Sequence, residues 1–264
     1  MTKAPEPGAG NAPAREPVRP PPASAWIVAR SLAYSLWLYG TMFGLGLIGL
    51  PSLLAGRRAV MAVVKLWVRM QFWGLRRLAG VKVEFRGLEH RPEGAGLVAA
   101  KHQGQLDTIA PFAVLPDPCF VLKRELMGLP VFGWYAKATR MIPVDRGGGS
   151  QAVRALSEAA AERLGEAREI LIFPEGTRRA PGAEPRYKHG VAALYRDLGF
   201  PCTPMATNSG LCWPAGGFPF RPGTVVFEFL EPIPPGLSRA AFMRELETRI
   251  ETASDRLLAE AANR

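Results

Sequence analysis

A chain of 264 residues with 48% hydrophobic content has room for one good-sized core plus an appendage. Its three cysteines show neither C-x-x-C spacing nor an even set, which disfavours a disulfide framework and favours a reducing compartment. The formal net charge of +10 calls for an anionic partner, either lipid head groups or nucleic acid.

Residues 1–25 are rich in Pro, Ala and Gly without apolar periodicity and read as a disordered tail. Residues 31–56 then carry no charge, and a stretch of about 20 apolar residues is enough to cross a bilayer. Gly44, Gly46, Gly49 and Pro51 allow a re-entrant or broken helix in place of a straight span. Trp67, Phe72 and Trp73 come next, interleaved with Lys65, Arg69, Arg76 and Arg77, as in an amphipathic helix lying at a membrane interface. The competing reading is a buried core helix followed by a surface helix. Because the basic residues flank an apolar segment and no nucleic-acid-binding motif occurs, the charge is assigned to a membrane and not to nucleic acid. Residues 26–80 are therefore expected to form a membrane-anchoring helical segment.

From Val81 the pattern changes. Strands are predicted over residues 81–85, 96–100, 119–122, 141–144, 169–173, 202–207 and 224–230, with helices over 150–168 and 238–262. Several strands are continuously apolar, as expected where both faces of a sheet are covered. The fold class is α/β: a single domain over 81–264 with a mixed, largely parallel sheet flanked by helices. Gly147, Gly148 and Gly149 lack the companions of a nucleotide loop and read as a flexible helix start.

Two stretches carry chemistry. In "KHQGQLDT" (101–108) His102 and Asp107 stand five residues apart just after an apolar strand. On a helix that step rotates by roughly 500°, leaving the side chains about 140° apart. They meet only if His102 sits in a turn and Asp107 in the first turn of the next helix, the usual place for chemistry in α/β proteins. "PEGTRR" (174–179) comes after another buried strand; Gly176 permits a tight path, Thr177 offers a hydroxyl, and Arg178 offers a fork suited to phosphate or carboxylate. A basic set, "PRYKHG" (185–190), lies shortly beyond. Taken alone, a structural histidine is the better reading of the first motif, and a loop closed by an internal Glu–Arg pair explains the second as well as chemistry does.

Together, "HQGQLD" and "FPEGTR" resemble the first and third signature blocks of the glycerolipid acyltransferase family. Residues 132–146 resemble the second block and residues 201–210 the fourth, in family order. The resemblance covers about residues 81–235. "VLKREL" (121–126) is similar to a family segment whose lysine, here Lys123, contacts the acceptor phosphate. In the commonest first block Asn precedes the histidine and Ser stands two places after it. This chain has Lys101 and Gly104, so Lys101 is expected to add a phosphate contact and Gly104 to loosen the turn.

The resemblance implies transfer of a fatty acyl group from a thioester, acyl-CoA or acyl-carrier protein, to the sn-2 hydroxyl of a 1-acyl-glycerol-3-phosphate. His102 would be the general base and Asp107 its orienting carboxylate. Lys123, Arg146 and Arg178 would bind the phosphate; Glu175, Gly176 and Thr177 would shape the loop or touch substrate. No cofactor and no metal is implied, and Cys212 lacks any nucleophile signature. Membrane lipids, the lysophospholipid, the thioester and acyl carrier protein are the expected partners, at a membrane with the active site on its cytoplasmic side. Two alternatives stand beside this: the same fold acting on another lyso-lipid such as a lyso-aminolipid, and a non-catalytic membrane-binding module.

Overall fold

The computed structural model describes residues 16–18, 20–145 and 147–263. Most of the expected N-terminal tail and Arg146 therefore lie outside the described residues.

Ser24 opens the first helix by accepting the Ile27 N–H at 3.3 Å, and the uncharged run continues as α1 (Ala25–Ile48). Gly49 and Pro51 end it in a single 3₁₀ turn, and Gly56, at φ 92°, lets the chain reverse into α2 (Arg57–Gly74). The two helices run antiparallel: Arg30 Nε donates to the Leu78 carbonyl at 2.7 Å and Trp37 Nε1 to the Met70 carbonyl at 3.0 Å. α1 is long and apolar enough to cross a membrane, yet it is docked along the domain. Ser31 Oγ exchanges hydrogen bonds with the backbone of Phe220, Tyr34 stands edge-on to Trp213 and Phe220, and Tyr135 OH donates to the Gly46 carbonyl at 3.0 Å. Leu32, Leu36, Tyr39, Phe43 and Leu47 remain exposed as one stripe at helical spacing. Lys65, one of the basic residues of the expected amphipathic helix, donates to the carbonyls of Leu115 (3.0 Å) and Pro116 (2.7 Å).

Among the described residues, seven strands form the sheet: β1 (Val81–Arg86), β2 (Gly96–Ala100), β3 (Cys119–Lys123), β4 (Ile142–Val144), β5 (Glu169–Ile172), β6 (Cys202–Thr207) and β7 (Gly223–Phe229). Each overlaps a segment read as a strand from the sequence. Between and after them lie α3 (Phe132–Ala138), α4 (Gly149–Gly165), α5 (Gly190–Leu198) and α6 (Arg239–Ala262). α4 stops three residues short of the expected 168 because Ala167 takes φ 56° and buries Arg168 under the turn; no glycine marks that conformation.

The strands form one sheet in the order β1-β7-β6-β2-β5-β3-β4. Every pairing is parallel except β6 with β7. β2, β5 and β6 are buried at every residue; β2 reads as an unbroken apolar run, whereas β5 begins at buried Glu169 and β6 includes buried Thr203 and Thr207. Leu97, Val98, Ile170 and Leu171 form the centre of the core, each worth about 1.5–3 kcal/mol when removed from water. α5 packs on both α4 and α6, and α4 and α6 pack on the strands, while Tyr34, Leu38, Val68 and Leu75 of the N-terminal hairpin join the same hydrophobic cluster.

Candidate active site

Because β6, β2, β5, β3 and β4 are mutually parallel, their C-terminal ends open on one edge of the sheet. His102 emerges there from β2, Glu175 from β5, Lys123 from β3 and Ser209 from β6. Such an edge, at neighbouring strands, is where open α/β sheets place ligands.

β2 hands over to the site through one further ladder bond, from Lys101 N–H to the Met205 carbonyl at 2.9 Å. The chain then turns, and residues Gln105–Thr108 form a single 3₁₀ turn that carries Asp107 back toward His102. His102 Nδ1 lies 3.0 Å from Asp107 Oδ2. The same oxygen accepts the N–H groups of Gln103 at 2.6 Å and Gly104 at 2.8 Å, and Oδ1 accepts the hydroxyl of Ser209. Asp107 is fully buried, so these four donors replace its water shell. A carboxylate so surrounded accepts only, which places the proton of the neutral ring on Nδ1 and leaves Nε2 with its lone pair. The ring stacks on Phe173, centroids 4.0 Å apart and planes 18° from parallel. The backbone turn is closely packed: a Cβ on Gly104 would stand 2.3 Å from the Trp213 carbonyl oxygen. Gly104 therefore tightens the turn against Trp213, correcting the expectation that it loosens it.

In the second motif Gly176, at φ 64°, bends the chain so that its N–H reaches the Phe173 carbonyl at 2.9 Å. Glu175 turns inward and is buried; Lys101 Nζ donates to it at 3.1 Å and to Glu251 Oε1 at 2.7 Å. Burial raises the Glu175 carboxyl above its ordinary range, against the opposing pull of Lys101. Lys101 is itself buried in these bonds, so it is a structural cation and not the additional phosphate ligand expected from the sequence. Glu175 is likewise almost wholly buried. Thr177 and Arg178 are exposed, with Arg178 Nη1 donating to the Ala215 carbonyl at 2.9 Å. Arg179 N–H donates to the His102 carbonyl at 2.8 Å, stitching the two motifs together.

Lys123 ends β3, exposed and 3.1 Å from Glu125. β3 adjoins β5, so Lys123 and Arg178 leave neighbouring strands, although each is engaged with a partner of its own. The expected third cation, Arg146, lies outside the described residues. Ser209, Phe173 and Glu251 were not singled out from sequence. The position of Ser209 after a strand of the fourth block was the one available signal. Glu251 lies mid-helix with none. Cys119, Cys202 and Cys212 are free and buried; burial pushes the Cys212 thiol up to about 12.

A model of the Acyltransferase family matches residues 82–208. The 1-acyl-sn-glycerol-3-phosphate acyltransferase of Pseudomonas aeruginosa is 34% identical over 198 residues, 74% of this chain and 77% of that protein. The lyso-ornithine lipid O-acyltransferase of the same organism is 31% identical over 245 residues, 85% of this chain and 93% of that protein. In fold, the crystal structure of the 1-acyl-sn-glycerophosphate (LPA) acyltransferase PlsC from Thermotoga maritima matches with a TM-score of 0.72 at 24% identity, covering 87% of this chain and 97% of that one. The paired His102 and Asp107 thus sit in a chain that belongs to the 1-acyl-sn-glycerol-3-phosphate acyltransferase family.

Proposed function

We propose that the protein moves a fatty acyl group from a thioester, acyl-CoA or acyl-carrier protein, onto the sn-2 hydroxyl of 1-acyl-glycerol-3-phosphate, giving phosphatidic acid. The observation that carries the chemistry is the Nδ1–Asp107 bond, which leaves Nε2 of His102 as a base. His102 takes the acceptor's hydroxyl proton as that oxygen attacks the thioester carbonyl. The tetrahedral intermediate then expels the thiolate, and the imidazolium returns the proton to it. The substrate hydroxyl takes the place of a serine, so no protein nucleophile is needed. Asp107 holds the ring and balances the imidazolium. Lys123 and Arg178, with Arg146 from the second block, supply charge for the acceptor phosphate, while Gly176 and Thr177 shape the loop that presents Arg178.

A second reading, acylation of a lyso-ornithine lipid, is favoured by one relative that the chain spans almost end to end and by the partners already held by Lys123 and Arg178. An acceptor screen with one labelled thioester separates the two. Two charge-assisted bonds to phosphate, each roughly 1.5–3 kcal/mol, give lysophosphatidate at least about a hundredfold advantage in kcat/KM over a lyso-ornithine lipid or a neutral lyso-lipid. Arg178→Ala should erode that advantage, and Arg178→Lys should not restore it, because the fork of donors is lost. Equal or reversed preference moves the assignment to the second reading. The intact His102–Asp107 pair opposes a non-catalytic module, and absence of thioester consumption with every acceptor would support one.

The exposed stripe of α1 supports a membrane-bound enzyme. A helix bonded to its own domain from Arg30 to Gly46 lies along a leaflet more readily than across a bilayer. The cytoplasmic side is proposed because activated acyl donors are made there.

A further inference from the structure

Lys101 stands where the commonest first block carries asparagine, and its ammonium joins three parts of the chain far apart in sequence. Glu175 reaches it from the loop after β5 at 3.1 Å, and Glu251 reaches it from the middle of α6 at 2.7 Å. Glu251 Oε1 also accepts the hydroxyl of Tyr187, from the basic set after the second motif, at 2.9 Å. Burial first, then the two carboxylates, push the Tyr187 phenol upward, which keeps it a donor. The Lys101 and Glu175 side chains are only 3% and 1% exposed, so neither charge is held by water. Without Lys101, the Glu175 and Glu251 carboxylates would lose the cation they share.

This cluster abuts the reacting centre from two directions. Lys101 is the residue before His102, and Glu175 lies two residues beyond Phe173, whose ring carries the imidazole. The Arg179 N–H closes the circuit on the His102 carbonyl. α6 lies beyond residue 208, where the family match ends, so Glu251 belongs to none of the signature blocks.

We propose that Glu251 of α6 is a positioning residue of the acyltransferase centre, acting through Lys101 to set the placement of both Glu175 and His102. Asparagine at position 101 would ask for no such carboxylate. Lys101 requires counter-charge, and Glu175 alone leaves the ammonium free to swing toward one loop. Glu251 balances it from the opposite side, so the turn bearing His102 and the loop bearing Phe173 keep a common register. The proposal rests on His102 being the base.

The test uses the full-length protein in detergent with lysophosphatidate and acyl-CoA or acyl-carrier protein, with thiol release as the readout. Kinetics are normalised to folded protein by circular dichroism, with Tm measured alongside. Glu251→Gln should lower kcat by about tenfold to a hundredfold with little change in the acceptor KM, as expected for a small misplacement of a reacting group. Lys101→Asn leaves two buried carboxylates without their cation and should be at least as severe. The double change Lys101→Asn with Glu251→Gln should recover kcat above that of Lys101→Asn, because one of the two carboxylates left without Lys101 is then neutral. Tyr187→Phe, which removes a single hydroxyl, should cost severalfold at most and provides a second route if Glu251→Gln fails to fold. A wild-type kcat for Glu251→Gln, a lowered Tm without any kcat change, or a double-variant loss equal to the product of the single losses would overturn the proposal. His102→Ala in the same assay separates the failures. Full activity there refutes the base assignment, whereas an inactive His102→Ala beside a fully active Glu251→Gln refutes only the role of Glu251.

Discussion

The imidazole of His102 lies flat on the ring of Phe173, with centroids 4.0 Å apart, although the two residues belong to different motifs. β2 and β5 are adjacent parallel strands, so the residues at their C-terminal ends leave the sheet side by side and can stack. One face of the imidazole is thereby covered by hydrocarbon and one nitrogen is committed to Asp107. Little freedom remains except at Nε2, which a base needs.

His102→Ala should abolish acyl transfer while leaving the fold and membrane binding intact, since general-base assistance is worth roughly 10²–10⁴-fold. Asp107→Asn should fall in the same range. Its amide would present hydrogens to some of the four donors that now converge on the carboxylate, and the ring would lose its fixed tautomer. Steady-state kinetics on purified variants of matched circular dichroism check this. A near wild-type rate for His102→Ala would remove the base from the scheme.

Restoring the more common serine at position 104 should damage this protein. A Cβ there would sit 2.3 Å from the backbone oxygen of Trp213, so the turn or the 209–213 segment must shift. Overpacking of this kind costs about 1–3 kcal/mol, and the shift would carry Ser209 away from Asp107. Gly104→Ser should lower both Tm and kcat. Unchanged values would show that the segment yields freely.

The Cys212 thiol, pushed up to about 12 by burial, should be silent toward thiol reagents in the native state. At pH 8 the thiolate fraction would be on the order of one in ten thousand, four units below that value. Iodoacetamide labelling should therefore appear only on unfolding, and Cys212→Ala should keep kcat within about threefold, a change of under 0.7 kcal/mol. Rapid native labelling, or an inactive Cys212→Ala that still folds, would reopen a covalent acyl-cysteine route.

Paired changes Leu36→Glu and Leu47→Glu on the exposed stripe of α1 should leave Tm nearly unchanged, because both side chains are exposed. Withdrawing two leucines from lipid forfeits roughly 3–6 kcal/mol, so vesicle binding should weaken by at least about a hundredfold. Flotation with anionic vesicles at high salt measures it. Undiminished flotation would place the membrane contact elsewhere.

Much of this protein is written in short-range pattern. The apolar run at 96–100 coincides with β2, because a strand buried on both faces leaves its signature in consecutive residues. The His102–Asp107 pair is equally local: a glycine-containing turn and five residues of chain suffice to bring the groups together. Sequence alone also placed the uncharged helix α1, although not its mode of docking, since apolarity is common to helices that meet lipid and helices that meet a core. Lys101 shows where such reading stops. Its charge suggested a phosphate ligand, yet it is neutralised by Glu175, 74 positions away, and by Glu251, 150 positions away. Ser209 meets Asp107 across 102 positions, and the backbone of Trp213 is what demands glycine at 104. These contacts arise from strand order and from the placement of α6. Neither has a local sequence signal, because both are decided by which surfaces bury one another when the whole chain closes.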